Sequence, residues 1–437
     1  MERERILLAI GGLLHDVGKV LQRAYDEEDL KKAGGYEKND YEGEFRYRYA
    51  KLSYYFIEEK LKLKDKFNSE EDYRKVVASS YHHKPYTLRN IYSYIYHFAD
   101  YFASSERSLR KSEEKVKLLI SAFSVLENDQ WKHYYELEPL EVDFEKPEDY
   151  RLVYPIFISE DEKKRIEEES ESRYKRLLSG FEEGLSNIDF SDLERGLERL
   201  YHIFYKYFWC VPASTWDQER KDSHYPDISL FDHSRAVACL SASLWTDYNK
   251  SIVEESIPRF KYEEVGKKLK FVLIGGEITG IQSFLFKLSG YKGFTKRLRG
   301  KSLFLAILPE LVGRYILREL GYPMVNLLYS GGGKFWALVG YEEGIYQKLS
   351  QIEQTIEEAL IKKYKGSLEL VLGYHELTAN ELRIQKEGKG YVSEFRKVIK
   401  KLYEKVEENK MKKFRRVIGK FEDLANEDWQ KLEEKVL

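Results

Sequence analysis

The sequence contains few oxidisable residues, with only 2 Cys and 3 Met among its 437 residues. Cys210 and Cys239 have no neighbours at metal-ligand spacing and lie in apolar surroundings, which excludes a disulfide framework and predicts buried thiols in a reducing compartment. Abundant Lys and Glu with so few oxidisable residues is typical of thermophile proteins. The formal net charge is -2, so the chain lacks an overall basic field and any nucleic-acid contact must be local.

Long apolar runs are also lacking. The N-terminal stretch MERERILLAIGGLLHD is interrupted by charged residues too early for a signal peptide or a membrane span. We therefore expect a soluble, cytoplasmic protein with no membrane partner.

The length indicates several domains rather than one core. The patterns predict an α+β chain with four parts. These are an all-α domain over residues 1–130, a mostly helical linker region over 131–260, a βαββαβ domain over 261–380 and a helical, basic tail over 381–437.

The βαββαβ assignment depends on hydrophobic runs that alternate with turn signals. Strands are predicted over residues 269–277, 325–329, 334–339 and 368–373, and the main helices over 302–320 and 343–364. This is the ferredoxin-like arrangement of the palm domains of nucleotide-polymerising or cyclising enzymes. Such palms carry metal-binding carboxylates at the end of the first strand and at a Gly-rich hairpin.

In this chain those two places hold Glu277 and the run Gly331–Gly332–Gly333–Lys334. Two-metal nucleotidyl transfer needs carboxylates around ions about 4 Å apart, so this domain is not expected to catalyse it alone. A Gly-rich turn can still expose backbone N–H groups to a phosphate. Cations that suit a triphosphate lie beside it at Lys287, Lys292, Lys296, Arg297, Arg299 and Lys301. A plain tight hairpin with a solvated basic loop is the alternative.

Imidazole and carboxylate groups recur in three predicted helices. GGLLHDVGK supplies His15 and Asp16, ASSYHHKPY supplies His82 and His83, and YHFADYFASSERS supplies Asp100. Together they form a ligand set for Mn, Fe, Ni or Zn, which predicts metal-assisted hydrolysis of a phosphodiester. The alternative is that these groups cap helices and form hydrogen bonds within a helical core.

Four other features receive weaker assignments. His97, three residues before Asp100, is expected to support the cluster rather than bind metal. Lys19 either meets a phosphate or is a solvated helix charge. Asp227, Asp232 and His233 are interpreted as an Asx-turn and helix cap, with Ser229, Asp232 or Ser234 as the capping side chain. The charged run 161–178 is predicted to be a solvated helix.

The ordered motifs GGLLHDVGK, SSYHHKPY, FADYFASSERS, DISLFDHS, GGEITGIQSFLF, RLRGKS and NLLYSGGGKF resemble the large subunit of type III CRISPR effector complexes in its Csm-type (III-A) form. The resemblance implies an N-terminal HD domain that cuts single-stranded DNA with a divalent metal, Mn or Ni in first place and Mg as an option. His15, Asp16, His82, His83 and Asp100 would bind metal, with His15 and Asp16 as the catalytic pair.

The resemblance also implies two palms that bind ATP and make cyclic oligoadenylates. In the first palm, Glu277, Thr279, Gly280, Gln282 and the Gly331–Gly333 turn would lie in the ATP pocket. Implied partners are CRISPR RNA, target RNA, the subunit that caps the CRISPR RNA 5′ end, and a small helical subunit.

Three departures from the family pattern bear on activity. Tyr49 stands where the family usually has a His, which puts the second metal site in question, and Glu277 stands where it usually has Asp. The family continues into a Cys-rich zinc insertion and a second palm with a G-G-D-D hairpin, whereas this sequence contains neither a CxxC pair nor G-G-D-D.

Three functions therefore stay open. The first is a single-strand DNase with half of an ATP site, and the second is a scaffold or allosteric subunit without activity of its own. The third is a phosphohydrolase acting on free nucleotides, which leaves the palm unexplained.

Overall fold

The protein is helix-rich, with one four-stranded antiparallel sheet in the second half of the chain. The computed structural model describes residues 2–26, 45, 47–104, 111–112, 117–126, 133–141, 156–157, 160–215, 223–257, 261–286, 293–387 and 390–411. The statements below concern these residues. Within them, no helix is both long enough and apolar enough to cross a membrane.

A central apolar helix organises the N-terminal region. The helices here are α1 Glu2–Leu14, α2 Gly18–Ala24, α3 Arg48–Tyr55, α4 Glu70–Val77 and α5 Ile91–Ala103. Short 3-10 turns at Ala78–Tyr81 and Pro85–Thr87 connect α4 to α5. Leu7, Leu8 and Ile10 of α1 have no exposed surface. A helix that is apolar on all sides has to be surrounded by other elements.

Residues between 111 and 257 supply much of that surrounding shell. They form the small strand pairs β1–β4 and β2–β3 and six helices. The elements are β1 Lys111–Ser112, α6 Ala122–Leu126, β2 His133–Tyr134, β3 Ile156–Phe157, α7 Glu160–Glu168, α8 Ser170–Ser186, α9 Leu193–Phe208, β4 Ser223–His224, α10 Leu230–Leu244 and α11 Asp247–Ser256.

Helices α8 and α9 of this middle region pack into the core around α1. Phe181 of α8 and Phe204 of α9 belong to the same buried cluster as Leu13 of α1, so residues 131–260 contribute directly to the core around α1. The division into four domains stays a prediction. The expectation of a wholly solvated helix at 161–178 is wrong, because Tyr174 and Leu177 are buried.

The sheet domain has the predicted order of elements. They are α12 Tyr262–Lys268, β5 Lys270–Thr279, α13 Ile281–Phe286, α14 Phe294–Glu319, β6 Leu327–Gly331, β7 Lys334–Gly340, α15 Ile345–Tyr364 and β8 Glu369–Thr378. The strands lie in the order β6-β7-β5-β8, and all three neighbouring pairs are antiparallel. Helices α14 and α15 pack on one face of this sheet through a common apolar cluster.

The tail differs from its prediction as a helical segment. A hairpin of β9 Ile384–Glu387 and β10 Gly390–Ser393 precedes α16 Glu394–Lys410, and residues 412–437 lie outside the described part. Helix α16 covers the other face of the sheet, because a Cβ added to Gly275 of β5 or Gly373 of β8 would meet Leu402 or Val406 at 2.9 Å or less.

Candidate metal centre

Close helix packing brings the candidate ligands together. Gly12 of α1 lies so near α10 that an added Cβ would be 2.5 Å from the Cα of Ala238, and one on Gly11 would be 2.1 Å from the hydroxyl of Tyr96 on α5. A side chain at either position would push these helices apart. The two glycines thus allow the end of α1 to approach both α5 and α10.

Four parts of the chain meet at this point. His15 and Asp16 follow the last turns of α1, and His82 and His83 lie in the turn between α4 and α5. Asp100 is on α5, and a fourth contributor, His233, is in the first turn of α10. Three sets have ligand atoms within 4.8 Å of one another, and they are His15–Asp16–His233, His15–His82–Asp100 and Asp16–His82–His83.

The two carboxylates lie between the imidazole rings. His15 Nε2 is 3.3 Å from Asp16 Oδ2 and 3.9 Å from Asp100 Oδ1. His233 Nε2 is 3.5 Å and 3.2 Å from the same two oxygens, and His82 Nε2 is 3.8 Å from Asp16 Oδ1. The structure therefore brings together all five ligands predicted from the sequence.

Backbone contacts fix which nitrogen of two rings faces the centre. His15 Nδ1 is 2.7 Å from the carbonyl oxygen of Gly12, and His82 Nδ1 is 2.7 Å from that of Ser79. A carbonyl oxygen only accepts, so each Nδ1 donates and each neutral ring presents the Nε2 lone pair. Metal-binding histidines in proteins are usually held in this way.

The charge state of the cluster suits a cation. Burial alone would raise the pKa of the Asp16 carboxyl, but the Lys19 ammonium and His15 outweigh it and hold that pKa well below its usual value. The pKa of Asp100 is likewise well below its usual value, because the hydrogen bond to His233 outweighs the effect of burial. Burial lowers the pKa of His82 to about 4, so its ring is neutral at neutral pH.

Lys19 is not the solvated helix charge that was one of its two predicted roles, and contact with a phosphate stays a prediction. Its ammonium is 2.5 Å from Asp16 Oδ2 and donates to the carbonyl oxygen of Ala213 at 2.9 Å, and the residue is 2% exposed. It is a buried partner of Asp16 rather than a solvated charge, and its contacts leave it turned away from solvent.

Tyr49 contacts His83. Its hydroxyl is 2.8 Å from His83 Nε2, and burial together with the adjacent His82 lowers the pKa of His83 well below its usual value. The phenol therefore holds the ring of a predicted ligand, at the position where the resembling family usually has a His.

His233 corrects the sequence interpretation. Ser229 is the N-cap of α10, and its side chain accepts from the N–H of Asp232, so the capping part of that interpretation is confirmed. The interpretation as a helix cap did not anticipate that His233 Nε2 faces both cluster carboxylates, which makes His233 a further candidate ligand. Ala238 of the same helix packs against Gly12 of α1, and a His at the start of this Ala- and Ser-rich helix was the available signal.

Three polar atoms test whether a metal ion fits. Among the described residues, His15 Nε2, His82 Nε2 and Asp16 Oδ1 are buried and find no hydrogen-bond partner. Buried polar atoms without partners are costly, and these come from two segments of the chain whose ligand atoms lie close together. Neutral imidazoles and ionised carboxylates are ligands for Mn, Fe, Ni and Zn, so the residues present fit a divalent transition metal.

The predicted nucleotide residues gather at one end of the sheet. Gly331 pairs with Lys334 across a two-residue turn, and Gly332 and Gly333 have φ values of 59° and 80°, which glycine adopts without strain. The Gly333 carbonyl accepts from the N–H of Ile278, so the hairpin touches the end of β5. Gly280 follows at once with φ 80°, and Gln282 is exposed on α13.

Glu277 and Thr279 already have partners inside the chain. Lys410 of α16 is 2.9 Å from Glu277 Oε1, and Lys334 is 3.5 Å from Oε2. The Thr279 hydroxyl donates to Glu369 at 3.1 Å. The cleft beside Glu277, under α16, has about 10 Å³, which is room for about one water molecule. A nucleotide therefore does not fit on that side of Glu277 while α16 is in place.

The basic residues near the hairpin lie partly outside the described chain. Lys287 and Lys292 are outside it. Lys296, Arg297 and Arg299 are on the first turns of α14, and the Lys301 ammonium donates to the Phe284 carbonyl oxygen at 2.6 Å. The structure thus places Lys296, Arg297 and Arg299 at the basic start of α14, with Lys301 engaged by α13.

Residues 270–427 match a family model described as Csm1 subunit domain B. A curated relative is the CRISPR system single-strand-specific deoxyribonuclease Cas10/Csm1 (subtype III-A) of Methanocaldococcus jannaschii. It is 30% identical over 448 residues, which cover 94% of this chain and 50% of the relative.

Two solved structures share the fold. A Csm1–Csm4 cassette in complex with cA4 has a TM-score of 0.64 and 22% identity, and covers 96% of this chain and 50% of that one. A Csm1–Csm4 cassette in complex with AMPPNP has a TM-score of 0.63 and 21% identity, with the same coverage of 96% and 50%. The chain spans about half the length of the curated relatives it matches.

Proposed function

Because this chain belongs to the Cas10/Csm1 family of subtype III-A, we propose that its buried cluster binds divalent metal and hydrolyses single-stranded DNA. The ligands are His15, Asp16, His82, His83, Asp100 and His233. The observation that carries the proposal is that His15 Nε2, His82 Nε2 and Asp16 Oδ1 are buried and find no hydrogen-bond partner among the described residues. Their residues belong to sets whose ligand atoms lie within 4.8 Å of one another.

The ion, the imidazoles and the carboxylates would have different tasks. A bound divalent ion lowers the pKa of a water molecule and neutralises charge on a phosphodiester. His15 and His82 present Nε2 lone pairs because their Nδ1 atoms are held by backbone carbonyls. Asp16 and Asp100 stay ionised and lie between the rings, so they would supply the negative charge that holds a divalent cation.

The test is cleavage of a labelled single-stranded DNA by the metal-free protein after addition of Mn²⁺, Ni²⁺ or Mg²⁺. We expect cleavage with a transition metal, no cleavage in EDTA, and loss of activity in His15→Ala/Asp16→Ala. His202→Ala, which removes an exposed imidazole of α9, is the matched control. The proposal fails if neither the protein nor its complex with partner subunits cuts DNA. Hydrolysis of free dNTPs without DNA cleavage would favour a nucleotide phosphohydrolase.

For the sheet domain we propose half of an ATP site, completed by a second palm. The support is the Gly331–Gly333 turn beside Gly280 and the basic start of α14, together with the AMPPNP and cA4 complexes of the similar cassettes. This chain alone should bind ATP weakly and make no cyclic oligoadenylate. Gly333→Val, whose Cβ would meet Ile281 at 2.7 Å, should abolish the ATP binding measured by calorimetry. Equal ATP affinity in this variant would contradict the half-site.

The partners follow from the same family membership. We propose that the protein works in a multisubunit complex with CRISPR RNA, target RNA, a Csm4-type subunit at the CRISPR RNA 5′ end and a small helical subunit, in antiviral defence. A scaffold without activity is the second candidate, favoured by the engagement of Glu277 with Lys334 and Lys410 and by Tyr49 beside His83. A purified chain that binds neither transition metal nor ATP would support the scaffold.

A further inference from the structure

His97 of α5 lies next to the metal cluster and makes two hydrogen bonds. Its Nδ1 is 2.6 Å from the backbone carbonyl oxygen of His82, and its Nε2 is 2.9 Å from the hydroxyl of Tyr262. The sequence predicted support of the cluster for His97, and these contacts show what it touches. The support reaches the backbone of a ligand rather than its ring.

The chemistry of these groups fixes the direction of both bonds. A carbonyl oxygen only accepts, so His97 Nδ1 carries the hydrogen and donates to His82. In the neutral ring Nε2 is then an acceptor, and the Tyr262 hydroxyl donates to it. The result is a directed chain, Tyr262 O–H to His97 to the His82 carbonyl, in which each bond polarises the next.

His82 depends on such outside support because it lies in irregular backbone. It follows the 3-10 turn Ala78–Tyr81 and precedes Pro85–Thr87, so no helical ladder continues through it. Its ring is fixed by Ser79 and its carbonyl by His97. Movement of this turn would carry His82 Nε2 away from Asp16 and Asp100.

Tyr262 is itself anchored on both sides. Its ring stacks on Tyr101 of α5 with centroids 3.8 Å apart and an interplanar angle of 16°. It is the first residue of α12, which ends at Lys268 immediately before the first strand of the sheet, β5. The hydroxyl therefore connects the start of the sheet domain to a ligand of the metal cluster.

We infer that Tyr262 and His97 form a positioning pair for the metal centre. The pair fixes the His82 turn from the side of the sheet domain, so that the geometry of the cluster depends on where α12 lies. The inference rests on the proposed metal-dependent nuclease function. Removal of groups that orient metal ligands typically weakens metal affinity or activity 10–100-fold.

The test compares Tyr262→Phe with wild type. This substitution removes only the hydroxyl and keeps the stacked ring. Tyr248→Phe is the matched control, because the Tyr248 hydroxyl donates to the Lys268 carbonyl at the other end of α12. We expect Mn²⁺ to bind about 10-fold more weakly to Tyr262→Phe, with no change in Tyr248→Phe and equal melting temperatures. An Mn²⁺ dissociation constant within about twofold of wild type would overturn the inference.

A second pair of variants separates positioning from packing. His97→Gln retains a donor and an acceptor in its amide, whereas His97→Ala retains neither. We expect His97→Gln to keep clearly more Mn²⁺ affinity than His97→Ala. Equal losses in the two variants would show that packing alone matters and would contradict the positioning role.

A measurement without metal keeps this inference separable from the proposed function. In ¹⁵N-histidine-labelled, metal-free protein, His97 should be the tautomer with hydrogen on Nδ1, and Tyr262→Phe should shift the ring signals of His82. If wild type binds no Mn²⁺, the proposed function fails. The His82 ring signals in metal-free protein still show whether Tyr262 positions His82. His82 signals that are identical in Tyr262→Phe and wild type would overturn it.

Discussion

The buried pair of Asp16 and Lys19 allows a quantitative prediction. Both side chains are 2% exposed and their charged atoms are 2.5 Å apart. Removing one partner of a buried ion pair leaves the other charge uncompensated and costs about 3–5 kcal/mol, whereas replacing both by neutral groups is often neutral or stabilising. Asp16→Asn should therefore lower the free energy of unfolding by about 3–5 kcal/mol in metal-free protein.

Urea unfolding in EDTA measures this effect. Asp16→Asn/Lys19→Met should recover about wild-type stability, because neither member of the pair is then left as an uncompensated charge, while still failing to bind metal. Lys60→Met is the control, since it breaks a half-buried pair with Glu182, and such partly exposed pairs are worth about 0–1 kcal/mol. If Asp16→Asn is as stable as wild type, or if the double variant is no more stable than Asp16→Asn, the reasoning is refuted.

Three further predictions concern thiols, pH and close packing. Cys210 and Cys239 are buried, and burial raises the pKa of each thiol to about 12. A thiol reagent at pH 8 should therefore modify neither cysteine in the folded protein and both in urea. Fast labelling of the folded protein would contradict this. Burial lowers the pKa of His82 to about 4 from about 6.5 in the unfolded chain. Below pH 6.5 the unfolded state then takes up a proton that the folded state does not. The stability of metal-free protein should accordingly fall by up to about 3 kcal/mol between about pH 6.5 and 4, and His82→Gln should flatten that fall; an unchanged slope would refute it. Gly18→Ala places a Cβ 2.0 Å from a backbone oxygen of α3 and should lower the free energy of unfolding by about 1–3 kcal/mol. Gly300→Ala, whose Cβ would meet no described atom within 4 Å, should leave stability unchanged or raise it. Equal melting temperatures for the two variants would argue against the close packing of α2 on α3.

Much of the metal centre could be predicted from the sequence because its residues occur in short, recognisable patterns. His15 with Asp16, His82 with His83, and Asp100 all lie in apolar segments, where ionisable groups need a reason to be buried. All five meet in the structure.

His233 could not be placed in the same way. It is 217 positions after Asp16 in the sequence, and its neighbours Ser229 and Asp232 form an ordinary helix cap. Only the packing of α10 on α1, made possible by Gly12 against Ala238, brings its ring to the cluster. Pairings of this kind depend on tertiary contacts that local patterns do not contain.

The fold shows the same division between local and long-range information. The order of β5 to β8 and their helices follows from hydrophobic period and turn residues. The strand ends differ from the prediction by up to five residues, and α14 begins at Phe294, eight residues before its predicted start. The hairpin β9–β10 was missed, because its charged residues resemble those of the helix that follows. The burial of Lys19 was also missed, since it depends on long-range contacts such as the one with the Ala213 carbonyl oxygen.

We propose that four segments form one metal centre, namely the end of α1, the turn after α4, helix α5 and the start of α10. The most direct measurement is a titration of EDTA-treated protein with Mn²⁺, followed by the electron paramagnetic resonance signal of the free ion. Wild type should remove Mn²⁺ from solution, and His15→Ala/Asp16→Ala and His233→Ala should each do so much more weakly, with His202→Ala as control. A wild-type protein that binds no Mn²⁺, or a His233→Ala variant that binds it as wild type does, would contradict the account.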